Sequence, residues 1–237
     1  MSASDLDALK DELATAARIL NRHGLIGMFG HISVLQPGDR RYLVHPGAGS
    51  RKDRCRPSDL FDLDLDEEWK PGHPLELYMH SEMHRLYPEV RSCAHVHAPY
   101  LTQLSVLADI PNDSLTLNAG FWPDRVPVYD EPDLVRDRET AQRLVRLQGR
   151  DTVCVLRWHG AMVAAPSIRQ AVVRCIHAEE NARLLLGTMA LGRRIVPLMH
   201  GEERKAMYAK IATPKHLASY WQFESSLVEL APTGPGV

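Results

Sequence analysis

The chain has 237 residues, of which 44% are hydrophobic and 24% are charged, and its formal net charge is −2. This length suits one large domain, and the composition is that of an ordinary globular protein. The near-neutral charge argues against a nucleic acid or an acidic membrane as partner, because both require a basic protein face.

The four cysteines are Cys55, Cys93, Cys154 and Cys175, and they form neither a C-x-x-C pair nor a dense disulfide pattern. Cys93 and Cys154 lie in apolar runs, which predicts reduced core residues. The N-terminus lacks the basic and apolar regions of a secretory signal, and no run approaches the roughly 18 apolar residues of a membrane span. A reduced, cytoplasmic location with no membrane partner is therefore expected.

The first predicted element is an amphipathic helix over residues 5–23, where leucine and alanine recur at helical spacing. Ser4 with Asp7 resembles a capping box, and Gly24 suits the C-terminal end.

Strand patterns follow this helix. Residues 32–34 and 42–44 are predicted strands joined by the turn "QPGDR". Residues 57–70 alternate Leu or Phe with Asp, which predicts a half-exposed edge strand. The segment "ELYMHSEMHRLYP" predicts a short helix ended by Pro88, and "VRSCAHVHA" predicts a buried strand after it.

The second half continues with helices and strands. "PYLTQLSVLAD" and residues 133–148 predict helices, and "DTVCVLRWHGAMVAAP" predicts two strands separated by "RWHG". Ser167 with Gln170 predicts the start of a long helix, and residues 201–230 predict a last helical region.

The organisation is that of a single unit, with no repeat or linker in the sequence. We expect one α/β domain over residues 1–230, with a largely antiparallel sheet and helices on its faces. Residues 231–237, "APTGPGV", are predicted to be a disordered tail.

Two histidines one residue apart end the buried strand in "SCAHVHAPY". Side chains two positions apart in a strand point to the same face, so His95 and His97 project together. Imidazole is a common ligand of zinc and similar ions, and a catalytic zinc site takes about three protein ligands. The pair is a candidate metal chelate, although an H-x-H pair alone is a weak signal.

His159 and Glu76 extend this pattern. His159 precedes a glycine that permits a sharp bend, so its ring can face inward. Glu76 begins a helix, where the helix dipole favours a carboxylate. The alternative interpretations are that His159 is a buried core residue and that Glu76 is only a charge at a helix terminus. Beside three histidines, a carboxylate can be a ligand, a general base, or both.

In order and spacing, "GHISV", "HPG", "PLELYMHSEMHRLYPEVRSCAHVHAPY" and "LRWHG" resemble the class II aldolase/adducin family over about residues 10–190. The resemblance implies a three-layer αβα fold with a mainly antiparallel, nine-stranded sheet. It implies one divalent transition metal per subunit (Zn²⁺, Mn²⁺, Fe²⁺ or Co²⁺). Its ligands would be His95, His97 and His159, with Glu76 at the catalytic carboxylate position.

The resemblance also implies a homotetramer with sites near the subunit interfaces. An aromatic residue of a neighbouring subunit often completes the site in this family, and Tyr208 and Tyr220 lie in the corresponding part of the chain.

The chain departs from the sugar-phosphate members of the family at their phosphate-binding stretches. Those stretches, G-N, T-G and S-S, read here as Gly30-His31, Pro46-Gly47 and Pro74-Leu75. The serine pair is replaced by residues without a side-chain donor, whereas a phosphate needs several converging donors. The sequence therefore favours the "GHIS" branch, which resembles metal-dependent decarboxylases of hydroxylated aromatic or heteroaromatic carboxylates.

Seven residues are candidate contacts of the substrate: Gly30, His31, His45, Gly47, Arg51, Arg157 and Tyr208. The arginines, together with Arg54, could pair with a substrate carboxylate. Alternatively, each of them is only a solvent-exposed surface charge. The histidines could instead form structural hydrogen bonds at strand ends. His80 and His84 lie four residues apart on the helix after Glu76 and are interpreted mainly as supporting groups.

The sequence thus predicts a carbon–carbon lyase in which a metal stabilises an enolate-like intermediate of a small carboxylate substrate. Decarboxylation is favoured. An aldolase or epimerase acting on a non-phosphorylated hydroxy-ketone or sugar is the alternative. A non-catalytic scaffold, as in the adducin head domain, is a third interpretation, although that domain does not keep the metal ligands.

Overall fold

The computed structural model describes residues 2–38, 40–150, 152–192, 196 and 200–229. The disordered tail predicted over residues 231–237 lies outside these residues. None of the helices in the described ranges combines the length and apolar character that a bilayer-spanning segment requires.

Seven strands of the described chain form one mixed sheet: β1 (His31–Leu35), β2 (Arg41–Val44), β3 (Phe61–Asp64), β4 (Ser92–Val96), β5 (Val128–Tyr129), β6 (Val153–Leu156) and β7 (Gly160–Ala165). Their spatial order is β3-β2-β1-β4-β7-β6-β5. Neighbouring strands are antiparallel except β5 and β6, which run parallel.

The helices of the described chain are α1 (Ala3–Arg22), α2 (Leu77–Leu86), α3 (Pro99–Ser105), α4 (Arg138–Gln148), α5 (Ile168–Ala190), α6 (Gly201–Ile211) and α7 (Pro214–Ser226). Helices α1, α3 and α5 pack on one face of the sheet, and α2 and α4 pack on the other. The predicted α/β architecture, a sheet flanked by helices, is confirmed.

The expected strand number was wrong: the described residues hold seven strands rather than nine, and the sheet is mixed. The long connection between α3 and β5 contains Pro111, Pro123 and Pro127 and forms a 3-10 turn at Leu117–Ala119 instead of a strand. Proline has no N–H to donate to a neighbouring strand, so this connection is poorly suited to extend the sheet.

Two predicted element boundaries also change. The capping box of α1 is formed by Ser2 and Asp5, two residues before the predicted pair, with backbone-to-side-chain hydrogen bonds of 2.9 and 3.2 Å. The last helical region is divided in two, because Thr213 caps α7 and Pro214 occupies its first position. Pro at this position lacks the N–H that would continue the preceding helix.

Alternation along β4 assigns its side chains to two separate core layers. Ala94 and Val96 belong to the apolar cluster under α1, α3 and α5, whereas Cys93 belongs to the cluster under α2 and α4. Since side chains two positions apart share a face, His95 points with Cys93 toward α2.

Strand β1 follows the same rule beside β4. Ile32 and Val34 join the first cluster, so His31 and Ser33 face α2. The register pairs His31 with His95 and Ser33 with Cys93. Polar side chains of two adjacent strands are therefore buried together beneath one helix.

The turn between β6 and β7 is held by close backbone packing. A Cβ atom at Gly160 would lie 2.2 Å from the carbonyl oxygen of Val96. Trp158, two residues earlier, has a φ of 60°, which is uncommon for a bulky side chain. The conformation of the turn that carries His159 thus depends on the absence of a side chain at Gly160.

Replacing Gly160 with Ala is expected to destabilise the fold, because the added methyl group overlaps the backbone of β4. We expect the free energy of unfolding to fall by about 1–3 kcal/mol, measured by urea denaturation. Gly187→Ala is the matched control: no atom lies within 4 Å of its added Cβ, and alanine favours a helix by up to ~1 kcal/mol over glycine. Equal stability of the two variants would contradict this interpretation.

Candidate metal centre

The side chains of Glu76, His95, His97 and His159 converge beside the C-terminal end of β4, and one ligand atom from each lies within 4.8 Å of the others. The Nε2 atoms of His95 and His97 are 2.9 Å apart. Oε2 of Glu76 lies 3.1 Å from Nε2 of His95 and 3.7 Å from Nε2 of His159. The structure therefore brings together the four residues that the sequence singled out.

Three parts of the fold supply these side chains. His95 lies on β4, and His97 follows the strand, where its N–H donates to the carbonyl of Leu25 at 3.0 Å. His159 lies in the turn between β6 and β7, and Glu76 is the residue immediately before α2. The site depends on tertiary packing, since no single element carries more than two of the four.

The donor set fits a divalent transition metal. Nδ1 of His95 lies 3.2 Å from the carbonyl oxygen of Ala161. A carbonyl only accepts, so Nδ1 carries the proton and Nε2 presents its lone pair to the cluster. Ligand atoms of a tetrahedral zinc, with Zn–N near 2.05 Å, are about 3.3 Å apart. The spacings of 2.9, 3.1 and 3.7 Å bracket this value.

The electrostatics of the cluster match the protonation states that a metal requires. Burial, with the neighbouring histidines, lowers the pKa of His97 to about 3, and it also lowers the pKa of His159. Burial alone would raise the pKa of Glu76, but His95 and His159 lower it to about 2. The lowered pKa values of His97 and His159 favour neutral imidazoles, and the lowered pKa of Glu76 favours a carboxylate, which are the forms that bind a cation.

A chain of buried hydrogen bonds runs between the sheet and α2. Nδ1 of His31 lies 2.6 Å from Nε2 of His80, whose Nδ1 lies 2.6 Å from Oγ of Ser33. The same oxygen lies 2.8 Å from Nε2 of His84, and Nδ1 of His84 lies 3.0 Å from the carbonyl oxygen of Val90. His80 and His84, which the sequence analysis interpreted as supporting groups, are both members of this hydrogen-bond chain.

The carbonyl at the end of this chain determines where each proton lies. His84 must donate through Nδ1 to Val90, so its Nε2 accepts from the Ser33 hydroxyl. Ser33 then accepts from Nδ1–H of His80, and Nε2 of His80 accepts from Nδ1–H of His31. Burial keeps the pKa values of these histidines below the ordinary range, so the rings are neutral. His31 therefore holds its proton on Nδ1 and has an unprotonated Nε2.

His31 is a predicted substrate-binding residue that adjoins the metal centre. It lies opposite His95 in the β1–β4 pairing, with ring centroids 5.2 Å apart. Gly30 precedes it with a φ of +86°, and a Cβ atom there would lie 3.1 Å from the carbonyl oxygen of His95. The Gly30-His31 pair thus packs directly on the strand that carries His95.

His45, another predicted contact, is fully buried and bonded to the backbone. Its Nε2 accepts from the N–H of Ile32 at 3.1 Å, and its Nδ1 lies 3.2 Å from the carbonyl oxygen of Pro46. Both ring nitrogens are therefore engaged in holding β1 and the following loop, which leaves neither for a substrate.

Lys52, which the sequence did not single out, supports the Pro46-Gly47 loop. Its Nζ donates to the carbonyls of Pro46 and Gly47 at 2.7 and 2.8 Å. The side chain is 2% exposed, and burial lowers its pKa to about 8. The N–H of Gly47 donates to the carbonyl of Gly72. No sequence pattern marks a lysine whose donors bind the carbonyls of its own loop.

The predicted arginine contacts bind partners within the chain. Arg51 pairs with Asp53 at the surface. Arg157 donates to both carboxylate oxygens of Asp130, at 2.8 and 3.2 Å, and to the carbonyl of Leu107. Neither guanidinium is free to bind a substrate carboxylate without exchanging these partners.

Tyr208 and Tyr220 lie in the two C-terminal helices. Tyr208 packs on Phe121, with ring centroids 5.5 Å apart, and Tyr220 packs on His177 at the same distance. These contacts are within one chain, and the contribution of either tyrosine to a neighbouring subunit stays a prediction.

The sequence matches the family model of the class II aldolase and adducin N-terminal domain over residues 11–186. A 3,4-dihydroxyphthalate decarboxylase of Terrabacter sp. (strain DBF63) is 33% identical over 201 residues, which cover 76% of this chain and 81% of that protein. The enzyme of the same name from Arthrobacter keyseri is 30% identical over 204 residues, covering 77% and 79%.

The fold is shared with an aldolase II superfamily protein from Pseudomonas syringae. Its crystal structure matches with a TM-score of 0.79 at 20% identity, over 96% of this chain and 94% of that chain. At this identity the likeness concerns the fold.

Removing one histidine of the cluster is expected to abolish stable metal binding. Loss of an outer hydrogen-bond partner of a ligand typically lowers metal affinity ~10- to 100-fold, so we expect His97→Ala to lower it by more than ~100-fold. Titration with Zn²⁺ or Mn²⁺ followed by elemental analysis measures this. His216→Ala, which removes an exposed histidine of α7, should bind metal as the wild type does. Equal affinity in both variants would show that the cluster is not the metal site.

The buried histidines should make the fold sensitive to acid. Burial lowers the pKa of His84 to about 4, whereas an unfolded histidine titrates near 6.5. Below pH ~6.5 the unfolded chain gains a proton that the folded chain does not, so the free energy of unfolding falls toward pH ~4. His84→Gln should reduce this slope by up to about 1.4 kcal/mol per pH unit. Urea denaturation in EDTA measures the slope.

The exposed His216 provides the control for this acid dependence. His216→Gln should leave the slope unchanged, because this side chain is exposed and lies outside the buried hydrogen-bond chain. If His84→Gln leaves the pH dependence of the free energy of unfolding unchanged, the hydrogen-bonded histidines are not held neutral as proposed.

Proposed function

This chain belongs to the class II aldolase and adducin family, and on that premise we propose that it is a divalent-metal-dependent carboxy-lyase of a hydroxylated aromatic or heteroaromatic carboxylate. The relatives named 3,4-dihydroxyphthalate decarboxylase support this reaction and substrate class. The observation that carries the proposal is the convergence of Glu76 with His95, His97 and His159.

His95, His97 and His159 would hold the metal through their Nε2 atoms. A bound divalent ion supplies Lewis-acid stabilisation of the negative charge that develops on substrate oxygen during cleavage. Several first-row ions accept imidazole with a carboxylate, so Zn²⁺, Mn²⁺, Fe²⁺ and Co²⁺ all remain within the proposal.

Glu76 would carry the proton that decarboxylation requires. When the bond between the ring carbon and the carboxylate breaks, CO₂ leaves, the electron pair stays on the ring, and the ring carbon must gain a proton. Oε1 of Glu76 accepts from the N–H of Val135 at 3.3 Å, and Oε2 faces the histidines. Ionised at neutral pH, the carboxylate takes the proton of a substrate hydroxyl and delivers it to this carbon. Solvent returns a proton to the hydroxyl oxygen.

His31 would orient a second hydroxyl group of the substrate, distinct from the one whose proton Glu76 takes. Its Nδ1 proton is directed to His80, so its Nε2 can only accept a hydrogen bond while the ring is neutral. A hydroxylated ring supplies the matching donor. The buried chain through Ser33 and His84 keeps the ring in this tautomer.

The former phosphate-binding stretches support a substrate without a phosphate group. Pro46, Gly47, Pro74 and Leu75 have no side-chain donor, and the N–H of Gly47 is already bonded to the chain. Phosphate binding normally requires several converging donors.

A homotetramer, with sites near its subunit interfaces, and a cytoplasmic location belong to the proposal as well.

Glu76→Gln is the variant that tests the proton transfer. The amide cannot take up and deliver a proton, so we expect kcat for CO₂ release from 3,4-dihydroxyphthalate to fall by ~10²–10⁴-fold, the usual contribution of general acid–base catalysis. Metal content is measured on the same samples, to separate loss of proton transfer from loss of the metal. Glu203→Gln, at an exposed position of α6, should retain wild-type turnover.

The substrate class is tested with a panel in the same assay. The metal-loaded protein should release CO₂ from hydroxylated aromatic carboxylates and no aldehyde from L-fuculose 1-phosphate. Aldehyde release without CO₂ would overturn the decarboxylase proposal in favour of an aldolase.

A further inference from the structure

A cavity of about 490 Å³ lies between α6, residues 120–125 and the start of β6. The described residues that line it include five cationic side chains and one carboxylate: Arg125, Arg150, Arg174, Arg204, Lys205 and Asp124. Its size is within the ~300–1,000 Å³ range of small-molecule sites, and its charge favours an anion.

Arg204 is the most informative side chain of this cavity, because it is only 1% exposed. Nη2 donates to Oδ1 of Asp124 at 2.7 Å, whereas Nε and Nη1 have no hydrogen-bond partner among the described residues. A guanidinium is always charged in a protein, and buried charged donors normally have acceptors. Two donors of this buried, charged side chain are therefore left unsatisfied by the described chain.

Two further buried donors in the cavity lining lack a partner within the described chain. They are Nε of Arg174 and Nε1 of Trp122. Nη1 of Arg174 donates to the carbonyl of Ala164 at 2.5 Å, and the guanidinium lies over Phe121 at 5.9 Å from the ring centroid. These contacts fix the position of the arginine and leave Nε unused.

Two of the exposed cations at the rim have partners of their own. Arg150 pairs with Glu89, and Lys205 pairs with Glu202. The buried donors, rather than the rim, therefore distinguish this cavity from an ordinary charged surface.

This cavity is separate from the metal centre. None of the four residues of the metal cluster lines it. Thr152, which lines it, precedes β6, whereas His159 follows β6. The two sites thus lie at opposite ends of the same strand.

We propose that this cavity binds the carboxylate or phosphate group of a small molecule, through Arg204, Arg174 and Trp122. An arginine presents paired donors that match two oxygens of such a group, and an indole N–H adds a third direction. This binding site is independent of the decarboxylase activity proposed above.

Titration calorimetry of the metal-loaded protein with inorganic phosphate, and separately with benzoate, tests this site and distinguishes the two anions. We expect the wild type to bind at least one of them. Arg204→Gln and Arg174→Gln should each weaken this binding about 10- to 100-fold, the effect of losing a charged hydrogen bond. Arg146→Gln removes the same charge at an exposed position of α4 and should bind as the wild type does.

A metal-site variant separates this binding from the metal centre. His97→Ala should retain the anion binding that Arg204→Gln loses. Loss of the binding in His97→Ala, wild-type affinity in both arginine variants, or no binding of either anion to the wild type would overturn the proposal. If circular dichroism shows that Arg204→Gln does not fold, Arg174→Gln decides the result by the same criterion.

Discussion

The pairing of β4 with its two antiparallel neighbours determines where the chemistry of this protein can take place. On one side the register sets His95 opposite His31, and on the other side the carbonyl of Ala161 accepts from the His95 ring. Alternation along the strand turns this ring toward α2, whose first residues follow Glu76. A slip of one residue would turn His95 to the opposite, apolar layer and would separate it from Glu76.

The polar layer between the sheet and α2 is costly for folding and useful for a reactive site. Valine or leucine would pack there without hydrogen-bond partners, whereas each buried imidazole needs them. In the hydrogen-bond chain from His31 to the carbonyl of Val90, every donor finds an acceptor only when all the hydrogen bonds run in the same direction. The neutral histidine rings of this hydrogen-bond chain have fixed tautomers, and because they are buried, solvent does not change their orientation. Such rings can support a metal ligand on one side and bind a substrate hydroxyl on the other.

The sequence was sufficient for features that depend on local spacing. The i and i+2 positions of His95 and His97, and the glycine after His159, predicted side chains that do meet. Features that depend on distant packing were not predictable. Lys52 binds carbonyls of its own loop, and the buried Arg204 binds Asp124, which lies 80 positions earlier in the sequence. Neither arrangement leaves a pattern in the sequence. The strand number came from resemblance alone, and it was wrong: the described residues form seven strands.

Three histidine Nε2 atoms and one carboxylate are proposed to form a single metal site. Anomalous diffraction from crystals grown with Mn²⁺ or Zn²⁺, recorded on both sides of the metal's absorption edge, would locate the ion. We expect one strong anomalous peak per chain, bounded by His95, His97 and His159 and adjoining Glu76. A peak elsewhere in the molecule, or none at this position in crystals of metal-saturated protein, would contradict it.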